Sequence, residues 1–132
     1  MTAGKEADTA MKATVAWWDL AGTGHTVESL RAYLRDEAVD RFSRIEGLRL
    51  KFWIADAAAR RWGAVLLWES AAAAARPLPP RAAELIGRPP VQHTVFDVEA
   101  VVEGAYAEAA LAGRGALWQT GGLAPEGDAS RA

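Results

Sequence analysis

His93 is the side chain in this sequence best placed to move a proton near neutral pH. It lies within residues 91–102 (VQHTVFDVEAVV), whose β-branched content reads as a strand. A strand interior holds a side chain rigidly enough to act as general acid or base. A lone strand histidine is also a common hydrogen-bonded structural residue, and no partner acid can be placed from the sequence. Lys51 and Trp53 share one face of residues 48–54 (LRLKFWI) with Arg49. That face is either a solvated rim, on which Trp53 covers the stems of its neighbours, or a surface that meets a partner subunit or a planar ligand. In the second case Trp53 stacks and Lys51 stabilises a phenolate or enolate. Trp17 and Trp62, with Trp18 and Trp68, are candidates to line an aromatic pocket, although alternation puts Trp17 and Trp18 on opposite faces. His25 precedes a helix in a Gly-rich loop and reads as a loop-fixing residue or as one at a pocket mouth. Asp97, inside the last strand, must find a partner if buried, and reads as a structural salt bridge or a turn contact.

Other chemistries find little material. The chain has no cysteine, which rules out disulfides and thiolate chemistry, and it has two histidines without a recurrent carboxylate spacing, so no metal site is expected. Gly22-x-Gly24 lacks the third glycine and the lysine of phosphate-binding loops, so no nucleotide cofactor is expected. The net charge is −2, with Lys and Arg scattered among Asp and Glu, which excludes the basic stripe that nucleic acids require. Nothing approaches the roughly 18 apolar residues of a membrane span, and Lys5, Glu6 and Asp8 stand where a secretory signal would be apolar. The cytoplasm is the expected location, with no membrane partner.

These residues need a scaffold, and 132 residues suffice for one domain. Residues 1–10 read as a flexible leader and 11–20 as a first strand that stops at Ala21-Gly22. Thr26 caps an amphipathic helix, with Glu28 in its first turn. Val27, Leu30, Leu34, Ala38, Phe42 and Ile45 form its apolar stripe, and Gly47 ends it. Residues 48–54 and 62–68 follow as a hairpin, the first alternating Leu48, Leu50, Phe52 and Ile54 against Arg49, Lys51 and Trp53. Ser70 caps a second helix that Pro77, Pro79 and Pro80 must break, with resumption at residues 81–86 and a stop at Gly87. The segment 91–102 is the fourth strand. Residues 104–132 read as a short last helix at 106–111 and a loose tail from Gly113 onward, with Trp118 as its one possible anchor.

The order β-α-β-β-α-β over residues 11–103 is that of an α+β, ferredoxin-like domain, one four-stranded antiparallel sheet with both helices on one face. The other face is left uncovered although strand three is apolar at consecutive positions, which predicts a two-fold homodimer through the sheet face.

Glu46-Gly47-Leu48, Lys51-Phe52-Trp53, Gly63, Glu69 and above all Val95-Phe96-Asp97-Val98 resemble the YdhR-like monooxygenases of the dimeric α/β-barrel superfamily. The resemblance covers about residues 11–103. It implies a ferredoxin-like dimer with a pocket between the sheet and the helices of each subunit. It also places the chain near barrels that oxygenate polycyclic phenols without flavin or metal, that degrade haem, or that cyclise polyketides. The proline break departs from the smoother second helix of the family and alters one pocket wall.

The leading expectation is a cofactor-independent monooxygenase for an aromatic or polyketide-like small molecule. His93 is its base, Lys51 its oxyanion partner, and Trp53, Trp17 and Trp62 contact the substrate. A cyclase or isomerase on the same scaffold, or a non-catalytic dimer that binds a small apolar ligand, are the alternatives.

Overall fold

In the computed structural model residues 10–106 and 110–119 are described. They fall into two compact units, divided after Val101. The first contains every strand and both helical regions; the second contributes a short 3-10 turn, Ala116–Trp118, with Trp118 substantially exposed. The leader lies outside the described residues except for Ala10, as does the middle of the last helix expected at 106–111.

The sheet is built from β1 (Lys12–Asp19), β2 (Leu48–Asp56), β3 (Arg61–Trp68) and β4 (Gln92–Asp97), in the order β2-β3-β1-β4 with every pair antiparallel. This is the ferredoxin-like α+β arrangement. β4 is shorter than the expected 91–102, because its partner begins at Lys12, opposite Asp97, and leaves no further ladder to join. One last bond, Val98 N–H to the Met11 carbonyl, closes that end.

Helix α1 runs through an α turn (Arg31–Tyr33), a π turn (Leu34–Ala38) and a final α turn (Val39–Phe42). Ahead of it Thr26 and Ser29 satisfy each other's backbone amides in a reciprocal cap. The π turn, marked by Val39 N–H bonding the Leu34 carbonyl, was not expected. At about 100° per residue, Tyr33 and Phe42 would project on opposite sides of an uninterrupted α-helix. Absorbing one extra residue brings them to within about 80° of each other, and both turn toward the sheet.

The proline break is present. Helix α2 (Ala71–Ala75), capped by Ser70, stops before the prolines, and α3 (Arg81–Ile86) starts after them, with Pro80 at its N-cap and Gly87 left-handed at its end. Gly47 is also left-handed, and a Cβ there would lie 2.5 Å from that of Ala73, so the turn into β2 admits no side chain.

The core lies between the helices and one sheet face. Thr14, Ala16 and Trp18 of β1 and Trp62, Ala64, Leu66 and Trp68 of β3 are buried there. Trp68 Nε1 donates to Thr14 Oγ1 at 2.8 Å, so these two buried polar groups satisfy each other. The phase of β2 is a correction to its expected alternation. A bulge at Arg49 lets Leu48 pair with Trp68 but Leu50 with Leu67, so Leu50, Phe52 and Ile54 face away from the helices. Lys51 and Trp53 face inward, against Leu66 and Ala64, and the solvated-rim reading of their face is overturned.

Candidate functional site

The register places four residues in one row across the helix-facing side: Trp53, Ala64, Ala16 and His93. The inner two carry only methyl groups, so the middle of the sheet has a depression where the flanking rows carry Trp62 and Trp18 on one side and Leu66 on the other. Phe42 and Tyr33 of α1 roof it from one direction. Leu78, Pro79 and Pro80 roof it from another, so the interrupted second helix forms one wall. The result is a cavity of about 170 Å³ lined almost wholly by apolar groups. An engineered apolar cavity of about 150 Å³ takes a benzene molecule, which sets the scale here at one aromatic ring.

Three titratable side chains reach this cavity. Lys51 enters from the β2 side, with its Nζ 3.1 Å from the centroid of Phe42 and 4.5 Å from that of Trp53; those two rings meet edge to face at 5.8 Å. Among the described residues Nζ has no hydrogen bond and no carboxylate partner. It nevertheless keeps accessible surface, because no fully buried polar side-chain atom lacks a partner. Burial among apolar groups lowers its pKa from 10.5 to about 7. Tyr33, held against Trp62 at 6.3 Å between centroids, has its phenol raised by burial, which Glu37 adds to and Arg41 and Arg81 oppose. His93 stands on the edge strand, exposed at the cavity's outer side.

The walls are fastened by polar contacts outside the cavity. Trp18 packs on Trp62 at 5.6 Å and donates from Nε1 to the Arg88 carbonyl at 2.9 Å, while the Arg88 guanidinium donates to the Asp19 carbonyl. This pins the link between α3 and β4, Pro90 included, to the end of β1. Arg81 at the start of α3 pairs with Glu37 in the π turn at 3.1 Å, joining two parts of the roof.

The expected site residues therefore separate. Lys51, Trp53, Trp62 and His93 line one cavity. Trp17 does not: it lies on the other face of the sheet, its ring against Gly63, because alternation along β1 sends Trp18 inward. His25 holds Ser29 Oγ through Nδ1 at 3.1 Å and so fixes the loop before α1. Asp97 pairs with Lys12, whose ammonium holds its carboxyl below the usual range. Tyr33 was missed, since it falls off the apolar stripe that a regular helix would show. Among the described residues no three His, Cys, Asp or Glu side chains converge as metal ligands, and no helix is long and apolar enough to cross a membrane.

No family model matches the chain, and no curated protein matches it in sequence. Its fold is similar to the crystal structure of SnoaB, a cofactor-independent oxygenase from Streptomyces nogalater, solved as a point mutant. The TM-score is 0.50 at 16% sequence identity, over 72% of this chain and 99% of that one. At that identity the likeness establishes the fold, ferredoxin-like α+β.

Proposed function

We propose that the chain is a cofactor-independent monooxygenase acting on a small aromatic molecule that carries an acidic C–H next to a phenol or enol oxygen. The observation that carries this reading is the cavity, an apolar space that fits a single ring and takes one cationic group, Lys51, from the β2 side and one proton acceptor, His93, from the β4 side. The oxygenase activity given for SnoaB, on the same fold, supports it, as does the resemblance to YdhR-like monooxygenases.

In this reading His93 removes the proton from the substrate carbon. Lys51, charged in about half the molecules near pH 7, stabilises the enolate oxygen, and Trp53 packs on the ring. The carbanion supplies the electrons. Dioxygen adds to the carbon and the O–O bond breaks with loss of water, so that a CH2 group and O2 become a carbonyl and H2O. The aromatic walls contributed by Trp62 and Tyr33 hold the ring in place.

The reading includes a second copy of the chain. Leu50, Phe52, Ile54, Val65, Leu67, Val15, Trp17 and Phe96 share the sheet face that no helix of this unit covers, with Phe52 47% and Phe96 46% exposed. A contiguous apolar face of this kind is normally covered, and two copies pack sheet to sheet.

Oxygen consumption with a set of enolisable single-ring ketones tests the chemistry. Uptake by the wild type that falls at least about tenfold in His93→Ala and in Lys51→Met is expected. Uptake unaffected by both substitutions, or none with any of these substrates, would overturn the assignment.

A further inference from the structure

Only two of the chain's three lysines, Lys12 and Lys51, fall among the described residues, and their surroundings differ sharply. Lys12 is ion-paired with Asp97. Lys51 ends in a cavity, between two aromatic rings, with no carboxylate partner among the described residues. An enclosed, unpaired amine facing a cavity of one-ring size is suited to a different reaction.

We propose that Lys51 is a covalent capture site for small apolar aldehydes and ketones, above all aromatic ones, which it holds in the cavity as a reversible imine. The nitrogen lone pair adds to the carbonyl carbon as the C=O π bond opens. The resulting carbinolamine then expels its hydroxyl as water, forming C=N. The amine gives up two hydrogens, the carbonyl gives up its oxygen, and nothing is oxidised or reduced. The apolar walls favour this product, because they bind the ring, displace water and so disfavour the return reaction. The lowered pKa of Lys51 agrees with the geometry: near pH 7 about half of the side chain is free amine, the form that attacks carbonyls. Tyr33 and His93 are the other proton-carrying groups on the cavity wall, and Glu37, Arg41 and Arg81 bear on Tyr33 alone.

This activity needs no oxygen and is independent of the oxygenase reading. Its test is trapping. The full chain is incubated with benzaldehyde and cyanoborohydride at pH 7, and the reduced adducts are mapped by peptide mass spectrometry over time. Labelling of Lys51 on the order of tenfold or more faster than that of Lys12 is expected, because Lys51 ends in the cavity that holds the ring while the Lys12 ammonium is paired with Asp97. An excess of benzyl alcohol, which fits the cavity but cannot condense, slows the reaction at Lys51 and not at Lys12. Lys51→Met leaves only the labelling of the remaining amines. Labelling of Lys51 no faster than of Lys12, or unchanged by benzyl alcohol, would overturn the proposal.

Discussion

Trp53 and His93 lie on outermost strands at opposite sides of the sheet yet in the same transverse row, with Ala64 and Ala16 between them. Three strand spacings of about 4.8 Å put their Cα atoms roughly 14 Å apart. Side chains of this size reach inward from both ends, and what remains over the two alanines is the length of one ring. The cavity thus exists because two central positions of a buried face are small.

Ala64→Leu should therefore abolish ligand binding while leaving the fold in place. The added branch enters space that is already empty, so stability should change by no more than about 1 kcal/mol, at the mild end of overpacking. Quenching of tryptophan fluorescence by a single-ring ligand is the measurement: it should be strong in the wild type and lost in the variant, with urea midpoints nearly equal.

The Lys51 pKa makes a prediction about stability and pH. Folding lowers it from 10.5 to about 7, so between those values the unfolded chain holds more of this proton than the native one. Stability then rises with pH over that window, and the cost of charging the buried ammonium is fully present below about pH 7. Lys51→Met has no such dependence. The difference in unfolding free energy between the two proteins should shift in favour of the wild type between pH 7 and pH 9.5, by on the order of 1 kcal/mol after allowance for the solvent that reaches the cavity. Parallel urea titrations at the two pH values check it.

Phe52 tests the second copy. It stands on the uncovered face, away from the cavity, so Phe52→Asp should leave ligand quenching intact within a subunit and convert dimer to monomer. Sedimentation velocity at micromolar concentration distinguishes the two. A wild-type monomer would remove the dimer from the account.

What could be read from the sequence was what local sterics decide. Pro77, Pro79 and Pro80 cannot continue a helix, and the break appears between Ala75 and Arg81 as their chemistry requires. Ser70 and Thr26 cap where short hydroxyl side chains are expected to. The phase of β2 was not legible, because its more apolar set, Leu50, Phe52 and Ile54, faces outward while Lys51 and Trp53 face the core, one extra residue at Arg49 having flipped every side chain beyond it. Tyr33 was hidden for a related reason: a π turn shifts the helical period, and sequence periodicity assumes that the period holds. The end of β4 was set by the length of β1, which a segment read in isolation does not contain. Lys51, Trp53, Trp62 and His93 could be picked out by residue type, but their meeting in one cavity depends on a register that only pairing supplies.

The most direct test of the oxygenase chemistry is the fate of the oxygen atoms. An enolisable single-ring ketone is turned over under 18O2, and the product is analysed by mass spectrometry. One labelled oxygen in the new carbonyl, with no turnover when dioxygen is removed, is the predicted result. Product without label, or turnover that persists in the absence of dioxygen, would contradict the account and select a cyclase or isomerase using His93 on the same scaffold.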